Sequence, residues 1–190
     1  RCGRGIALVS ETDNFPTRDC IVRNNEVYHN SLAGISLGGY LNYTGGGTLN
    51  CYVVNNTLFH NNIDKGYFDE IEGEIRLVEN CIDNSIQNNI IVAKPNGVFI
   101  HKYTNTGKSN AIDYNLYFST GEYKWIWNGN VIPDFHAWQS TLGADLHAIN
   151  GQNPGFVSTA EPDFQLADSS PALNTGNFIS KLVLLFSRCK

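Results

Sequence analysis

Glu72 and Glu74 stand two residues apart in Glu72-Gly-Glu-Ile-Arg-Leu, a run with strand alternation, and Asp69 and Glu70 precede them in a charged stretch. Residues i and i+2 of a strand share a face and lie roughly 7 Å apart. Glycosidic cleavage with inversion asks for two carboxyl groups about 6.5–9.5 Å apart, and cleavage with retention for about 5–5.5 Å. The spacing therefore makes Glu74 a candidate acid or base, with Asp69, Glu70 or Glu72 as its partner. The competing reading is a solvated strand in which Glu74 pairs with Arg76 and contributes little.

Alternation in neighbouring runs extends this face. With Ile6/Leu8, Ile35/Leu37, Ile75/Leu77 and Val98/Ile100 pointing inward, Glu11, Ser36, Tyr40, Glu74, Arg76, Phe99, His101 and Tyr103 are expected to face solvent. Sugar rings carry apolar faces rimmed by hydroxyls, which suit aromatic platforms beside charged hydrogen-bonding groups. Tyr40, Arg76, His101 and Tyr103 are thus the candidate sugar-binding residues. Elimination next to a uronate carboxylate needs instead a base and a cation or calcium ion; Lys65, Lys102, Arg76 and His101 are the available groups, His being the readiest base near neutral pH. Calcium enters only with that chemistry, and hydrolysis needs no cofactor. His29 and His60 fall at equivalent positions without a third ligand, which favours a structural role. Trp125, Trp127 and Trp138 either line a sugar subsite or pin a loop onto the body of the protein.

These residues need a scaffold that repeats. Cys20-Ile-Val-Arg-Asn-Asn-Glu-Val-Tyr, Cys51-Tyr-Val-Val-Asn-Asn-Thr-Leu-Phe, Ser85-Ile-Gln-Asn-Asn-Ile-Ile-Val and Ala111-Ile-Asp-Tyr-Asn-Leu-Tyr-Phe share one pattern. The last Asn of each falls at 25, 56, 89 and 115, so the period is 31, 33 and 26 residues. Such a period belongs to stacked coils. A second series, Gly5-Ile-Ala-Leu, Gly34-Ile-Ser-Leu, Gly73-Glu-Ile-Arg-Leu and Gly97-Val-Phe-Ile, runs in phase with it. One coil then reads as an Asn strand, a tight turn, a Gly-Ile strand and a longer return. Coils sit about 4.8 Å apart, so like residues stack, and a carboxamide, both donor and acceptor, can bond to its copy above and below. The register predicts Cys20 on Cys51, His29 on His60, and Val27 and Leu58 on Ile91 and Leu116. The distance from Asn56 to Gly73 exceeds that in neighbouring coils, which predicts an insertion of about eight residues within 61–72, and lengthened loops often carry binding.

The 190 residues are 42% hydrophobic and 16% charged, with 18 Gly. That composition fits one strand-and-turn domain. A net charge of −5 without a basic stripe argues against nucleic acid, and no apolar run approaches the roughly 18 residues of a membrane span. Cysteines at 2, 20, 51, 81 and 189 are odd in number, so not all can pair within the chain; Cys20 and Cys51 read as buried thiols. Asn42-Tyr-Thr and Asn55-Asn-Thr match a glycosylation acceptor only as chance triplets in an Asn-rich repeat. With Arg at position 1 and no Met, the chain is expected to be an excerpt whose upstream coils are missing.

The alternating Gly-Ile-x-Leu and Asn-Asn-x-Ile strands resemble the right-handed parallel β-helix proteins of the pectin-lyase-like superfamily, over residues 5 to 176. Tyr114-Asn-Leu-Tyr-Phe, Phe135-His-Ala-Trp-Gln-Ser, Gly143-Ala-Asp-Leu-His-Ala, Asn153-Pro-Gly-Phe, Asp163-Phe-Gln-Leu and Ser170-Pro-Ala-Leu-Asn-Thr-Gly resemble the closing segment of bacterial β-helix hydrolases and lyases. The resemblance implies an all-β right-handed parallel β-helix of four or more coils across 1–176, with a loop-rich closing segment from about 119 and an atypical tail at 177–190. It further implies a secreted or cell-surface bacterial protein, monomeric, acting on a polysaccharide or oligosaccharide. Glycoside hydrolysis leads, polysaccharide lyase on a uronic-acid polymer is second, and a non-catalytic glycan-binding or adhesin module is third, because the superfamily hosts all three on one scaffold.

Overall fold

The computed structural model describes residues 3–40, 45–66, 71–95, 97–122, 124–160 and 163–179. These form an all-β chain whose strands are short because each coil turns every few residues. Four columns of parallel strands result. The first contains Ile6–Val9, Ile35–Gly38, Ile75–Leu77, Ile100–Lys102 and Trp125–Trp127, hydrogen-bonded in that order, with Asn130–Ile132 closing its end antiparallel. The second contains Thr17–Arg18, Thr48–Leu49 and Cys81–Ile82, and the third Ile21–Arg23, Tyr52–Val54, Ser85–Gln87 and Ala111–Asp113. The fourth runs Glu26–Tyr28, Thr57–Phe59, Ile90–Val92, Leu116–Phe118 and Ile149–Asn150. The chain visits the columns in turn, so each neighbour in a column comes from the next pass.

Each Asn-containing run, expected as one strand, is two strands meeting at a corner. The first residue of the corner pair, Asn24, Asn55, Asn88 or Tyr114, takes a left-handed φ of 54–57°, which Asn tolerates better than most side chains. The second turns its carboxamide inward. Asn25 and Asn56 each donate their main-chain N–H and side-chain amide to the carboxamide oxygen of the Asn below, at 2.9–3.1 Å. Asn89 does the same to Asn115, and Asn115 donates to Asp145 at 3.2 Å. Here the expectation of stacked carboxamides holds residue by residue. A shorter column joins Asn30 to Asn61, and a third joins Cys51 to Asn84 and Asn110.

Within these columns lies the core, with Ile35, Leu37, Leu58, Ile75, Leu77, Ile86, Ile91 and Ile100 all fully buried. Val27 and Leu58 stack on Ile91 as expected, but Ile91 pairs with Tyr117 and not with Leu116, which lies beside Ile90. At the far end Phe99, Tyr117, Trp125 and Trp138 close the core with ring centroids 5.0–5.5 Å apart. The Trp-bearing segment, expected as a loop, is a helix, Phe135–Leu142, started by the Asp134 side chain on Ala137 N and ended by Gly143 at φ 61°. Trp125 and Trp138 pin this closure, and the Trp138 indole donates to Asp145 at 2.7 Å.

Candidate functional site

The wall of the first column differs from its expectation. Ser36, Glu74, Arg76, Phe99 and His101 are buried, and of the proposed sugar-binding residues only Tyr40, 50% exposed, stands well into solvent. Two causes operate. In register Ile75 pairs with Ile35, so Glu74, and not Gly73, stands where the coil above has Gly34. A Cβ on Gly34 would lie 2.8 Å from the Asn61 side-chain nitrogen, because this position abuts the second Asn column. Glu74 and Phe99 carry side chains at that level, and both turn inward.

Glu74 thereby ends the column of Asn30 and Asn61. Its carboxyl oxygens accept from Asn61 N at 2.9 Å and Asn61 Nδ2 at 2.7 Å. Burial raises its pKa from 4.5 to about 8, against those hydrogen bonds and the Lys94 ammonium, which lower it. The expected solvent-facing Glu74 is therefore corrected to an inward one.

The second cause is the insertion. Asn62, at φ 52°, closes its neck by accepting from Glu72 N and Gly73 N, both at 2.9 Å. The returning end then lies over the wall. The Ile71 carbonyl accepts from Tyr103 OH at 3.0 Å and meets His101 Nδ1 at 2.5 Å. Glu72, 1% exposed, accepts from Arg4 through both guanidinium nitrogens Nε and Nη2 and from Ala33 N at 3.0 Å, and its carboxylate lies 3.5 Å from Arg76 Nε. Arg76 stands over the Tyr103 ring at 4.7 Å and reaches Ser36 Oγ at 3.4 Å. His101 stacks on Tyr103 with centroids 3.8 Å apart.

Glu72, Arg76, His101 and Tyr103 thus form one cluster, while Glu74 leaves it for the column. Asp69 and Glu70 lie outside the described residues. Sequence reasoning missed Arg4, since pairing across 68 positions leaves no local signal. Burial lowers the His101 pKa to about 4, so at neutral pH the ring is uncharged. A carbonyl can only accept, so Nδ1 carries the proton and Nε2 keeps a lone pair. Lys102 is committed elsewhere, to Thr104 O and to Asn128 Oδ1 at 2.9 Å, with burial lowering its pKa. Lys65 is exposed.

The other candidates take structural places. His29 and His60 lie one above the other at one corner, with ring centroids 6.4 Å apart and planes tilted by 42°. His60 lies 3.9 Å from the Phe59 ring and its pKa is lowered by burial, then by His29. His147 fixes the closing segment by meeting Asp113 at 2.8 Å and stacking on Tyr114. Asp145, quoted from sequence within Gly143-Ala-Asp-Leu-His-Ala but given no role there, is a buried polar centre. It accepts from Asn115, Tyr117 OH and Trp138, and burial raises its pKa to about 6. Among the described residues no three His, Cys, Asp or Glu side chains are grouped to hold a metal ion, and no helix is long and apolar enough to cross a membrane.

No protein-family model matches the chain, and no solved structure matches it. Among curated proteins it is similar to the uncharacterized protein YwoF of Bacillus subtilis strain 168, with 28% identity over 170 residues. The match covers 88% of this chain and 35% of that protein, so the chain spans about a third of the relative's length.

Proposed function

We propose that this chain is a section of a right-handed parallel β-helix of the pectin-lyase-like kind and that it processes a uronic-acid polysaccharide outside the cell, by β-elimination. Supporting the fold reading are the four columns visited in turn and the Asn column linking successive passes. The observation that carries the chemistry is geometric: His101 Nδ1–H is held by the Ile71 carbonyl, so Nε2 keeps the lone pair, next to Tyr103 and the Arg76 guanidinium; the burial that lowers its pKa to about 4 weakens it as a base until substrate entry relieves that burial. Paired-carboxylate hydrolysis is less well supported, because Glu74 spends both oxygens on Asn61.

In this scheme His101 Nε2 takes the proton beside the uronate carboxylate, Arg76 steadies the negative charge that develops there, and that electron pair forms the new C=C bond as the neighbouring C–O bond breaks, the departing sugar oxygen taking a proton from solvent. Glu72 holds Arg76 in place. For the substrate to reach this wall, the Ile71 side chain, 40% exposed, must turn aside while its carbonyl stays on His101 Nδ1. The test is incubation with a panel of uronic-acid polymers, following unsaturated product by ultraviolet absorbance and new reducing ends in parallel. Unsaturated product that is lost in His101→Ala supports the scheme. Reducing ends without unsaturation mean hydrolysis, and retention of glycan without product means a binding module; either outcome overturns it.

A further inference from the structure

The third corner column is built differently at its two ends. In its lower part, Cys51 N and Asn84 N each donate to a carboxamide below, Asn84 and Asn110, and Asn84 Nδ2 adds a second bond to Asn110 at 2.9 Å. In its upper part the same position is held by Cys20 and Cys51. Cys20 N meets only the Cys51 sulfur, at 3.4 Å, and a thiol is a weak donor and a weak acceptor. Between the first two passes, then, the carboxamide tie is replaced by two sulfurs.

Those sulfurs are placed to join. Ile21 pairs with Tyr52 in parallel register and Tyr52 N donates to Cys20 O at 2.8 Å, so Cys20 and Cys51, each one residue before its strand, lie side by side on neighbouring passes. Adjacent strands run about 4.8 Å apart, inside the roughly 4.4–6.8 Å that a disulfide spans between Cα atoms. The two thiols also contact each other, and burial raises the Cys51 pKa. Cys20 is half-buried and Cys51 buried, which sets the order of attack. Cys81 belongs to a different site: its sulfur lies 3.9 Å from Val78 O and burial raises its pKa to about 12.

We propose that Cys20 and Cys51 are a thiol–disulfide site that covalently staples the first two passes under oxidising conditions. With oxidised glutathione as oxidant, the Cys20 thiolate attacks one glutathione sulfur, forming a mixed disulfide and releasing one glutathione thiolate. The Cys51 thiolate then attacks the Cys20 sulfur, forming the Cys20–Cys51 bond and releasing the second. Two electrons pass from the cysteines to glutathione, and the two thiol protons pass to solvent or to the released thiolates. The link closes a 31-residue separation.

Peptide mapping without reductant tests this on the whole chain equilibrated with oxidised glutathione. Trypsin cuts after Arg18, Arg23 and Lys65, so Cys20 lies in peptide 19–23 and Cys51 in peptide 24–65. The expected result is those two peptides joined by one disulfide, separated by reductant and lost in both Cys20→Ser and Cys51→Ser, while Cys81 still blocks with a thiol reagent after unfolding. The proposal is overturned if the two peptides run separately from the oxidised wild-type chain, if Cys20 stops as its glutathione adduct, or if either cysteine is joined to a different one.

Discussion

Replacing Asn89 by Ala removes the middle of the longest carboxamide column. Asn89 is 1% exposed. Its oxygen accepts from Asn56 N and Asn56 Nδ2, both at 3.0 Å, and its amide donates to Val53 O at 2.9 Å and Asn115 Oδ1 at 3.1 Å. Asn56 Nδ2 keeps Val22 O and Val54 O, and Asn115 Oδ1 keeps Asn89 N, so these groups stay partnered. Asn56 N loses its acceptor inside the core. A stranded buried donor costs about 1–3 kcal/mol and each lost bond about 0.5–1.5 kcal/mol net. With partial relaxation the sum is about 3 kcal/mol, or roughly 10 °C in melting midpoint for a chain of this size. Urea titration measures it, against the exposed Gln152→Ala as reference, expected within about 0.5 kcal/mol of wild type. A loss below about 1 kcal/mol for Asn89→Ala, with unchanged denaturant slope, would refute the column as a source of stability.

Glu74 binds its proton more tightly folded than unfolded, with a pKa of about 8 against 4.5. Its contribution to stability should therefore fall as pH rises from about 4.5 to 8 and level off above, opposed between about 4 and 6.5 by His101, whose lowered pKa acts with the other sign. Glu74→Gln should flatten that window in pH-dependent unfolding, and an unchanged slope would contradict the inward carboxyl. Trp138→Ala opens a cavity and strips a donor from Asp145, so thermal unfolding should show a loss of about 3–5 kcal/mol. Gly34→Ala would place a methyl 2.8 Å from Asn61 Nδ2 and 2.9 Å from Glu74 O, costing more than about 1 kcal/mol in urea titration; a neutral effect would mean that glycine is not required there by crowding. Arg76→Lys, which keeps charge but loses the planar group over Tyr103, should reduce formation of unsaturated product at least tenfold in the same polymer assay.

The scaffold was legible because it repeats. Asn25, Asn56, Asn89 and Asn115 announce their column through spacing alone, since one residue type does one task in every pass. The paired Asn was half understood: the second member bonds between passes, while the first supplies the left-handed corner that divides the run into two strands. The candidate site was less legible, because simple alternation assigns side chains to faces only inside a strand. Glu74 lies just before Ile75–Leu77 and follows the corner, so it obeys the column and not the alternation. Arg76 and His101 do leave the core as alternation predicts, yet the insertion folds back to cover them, and a covering loop has no period to betray it. Arg4 acts once, in a contact spanning 68 positions, while Asp145 stands 30 residues after Asn115, one step of the period, with a carboxylate where the count looked for Asn.

Hydrogen-bond scalar couplings in the isotope-labelled protein examine the stacking most directly. A main-chain nitrogen that donates to a side-chain carbonyl should couple to that carbon across the bond. The account predicts measurable couplings from Asn25 N to the Asn56 carboxamide, from Asn56 N to that of Asn89, and from Asn89 N to that of Asn115. If those three amides instead couple to main-chain carbonyls, or exchange freely with solvent, the columns do not exist and the wall built on them falls too.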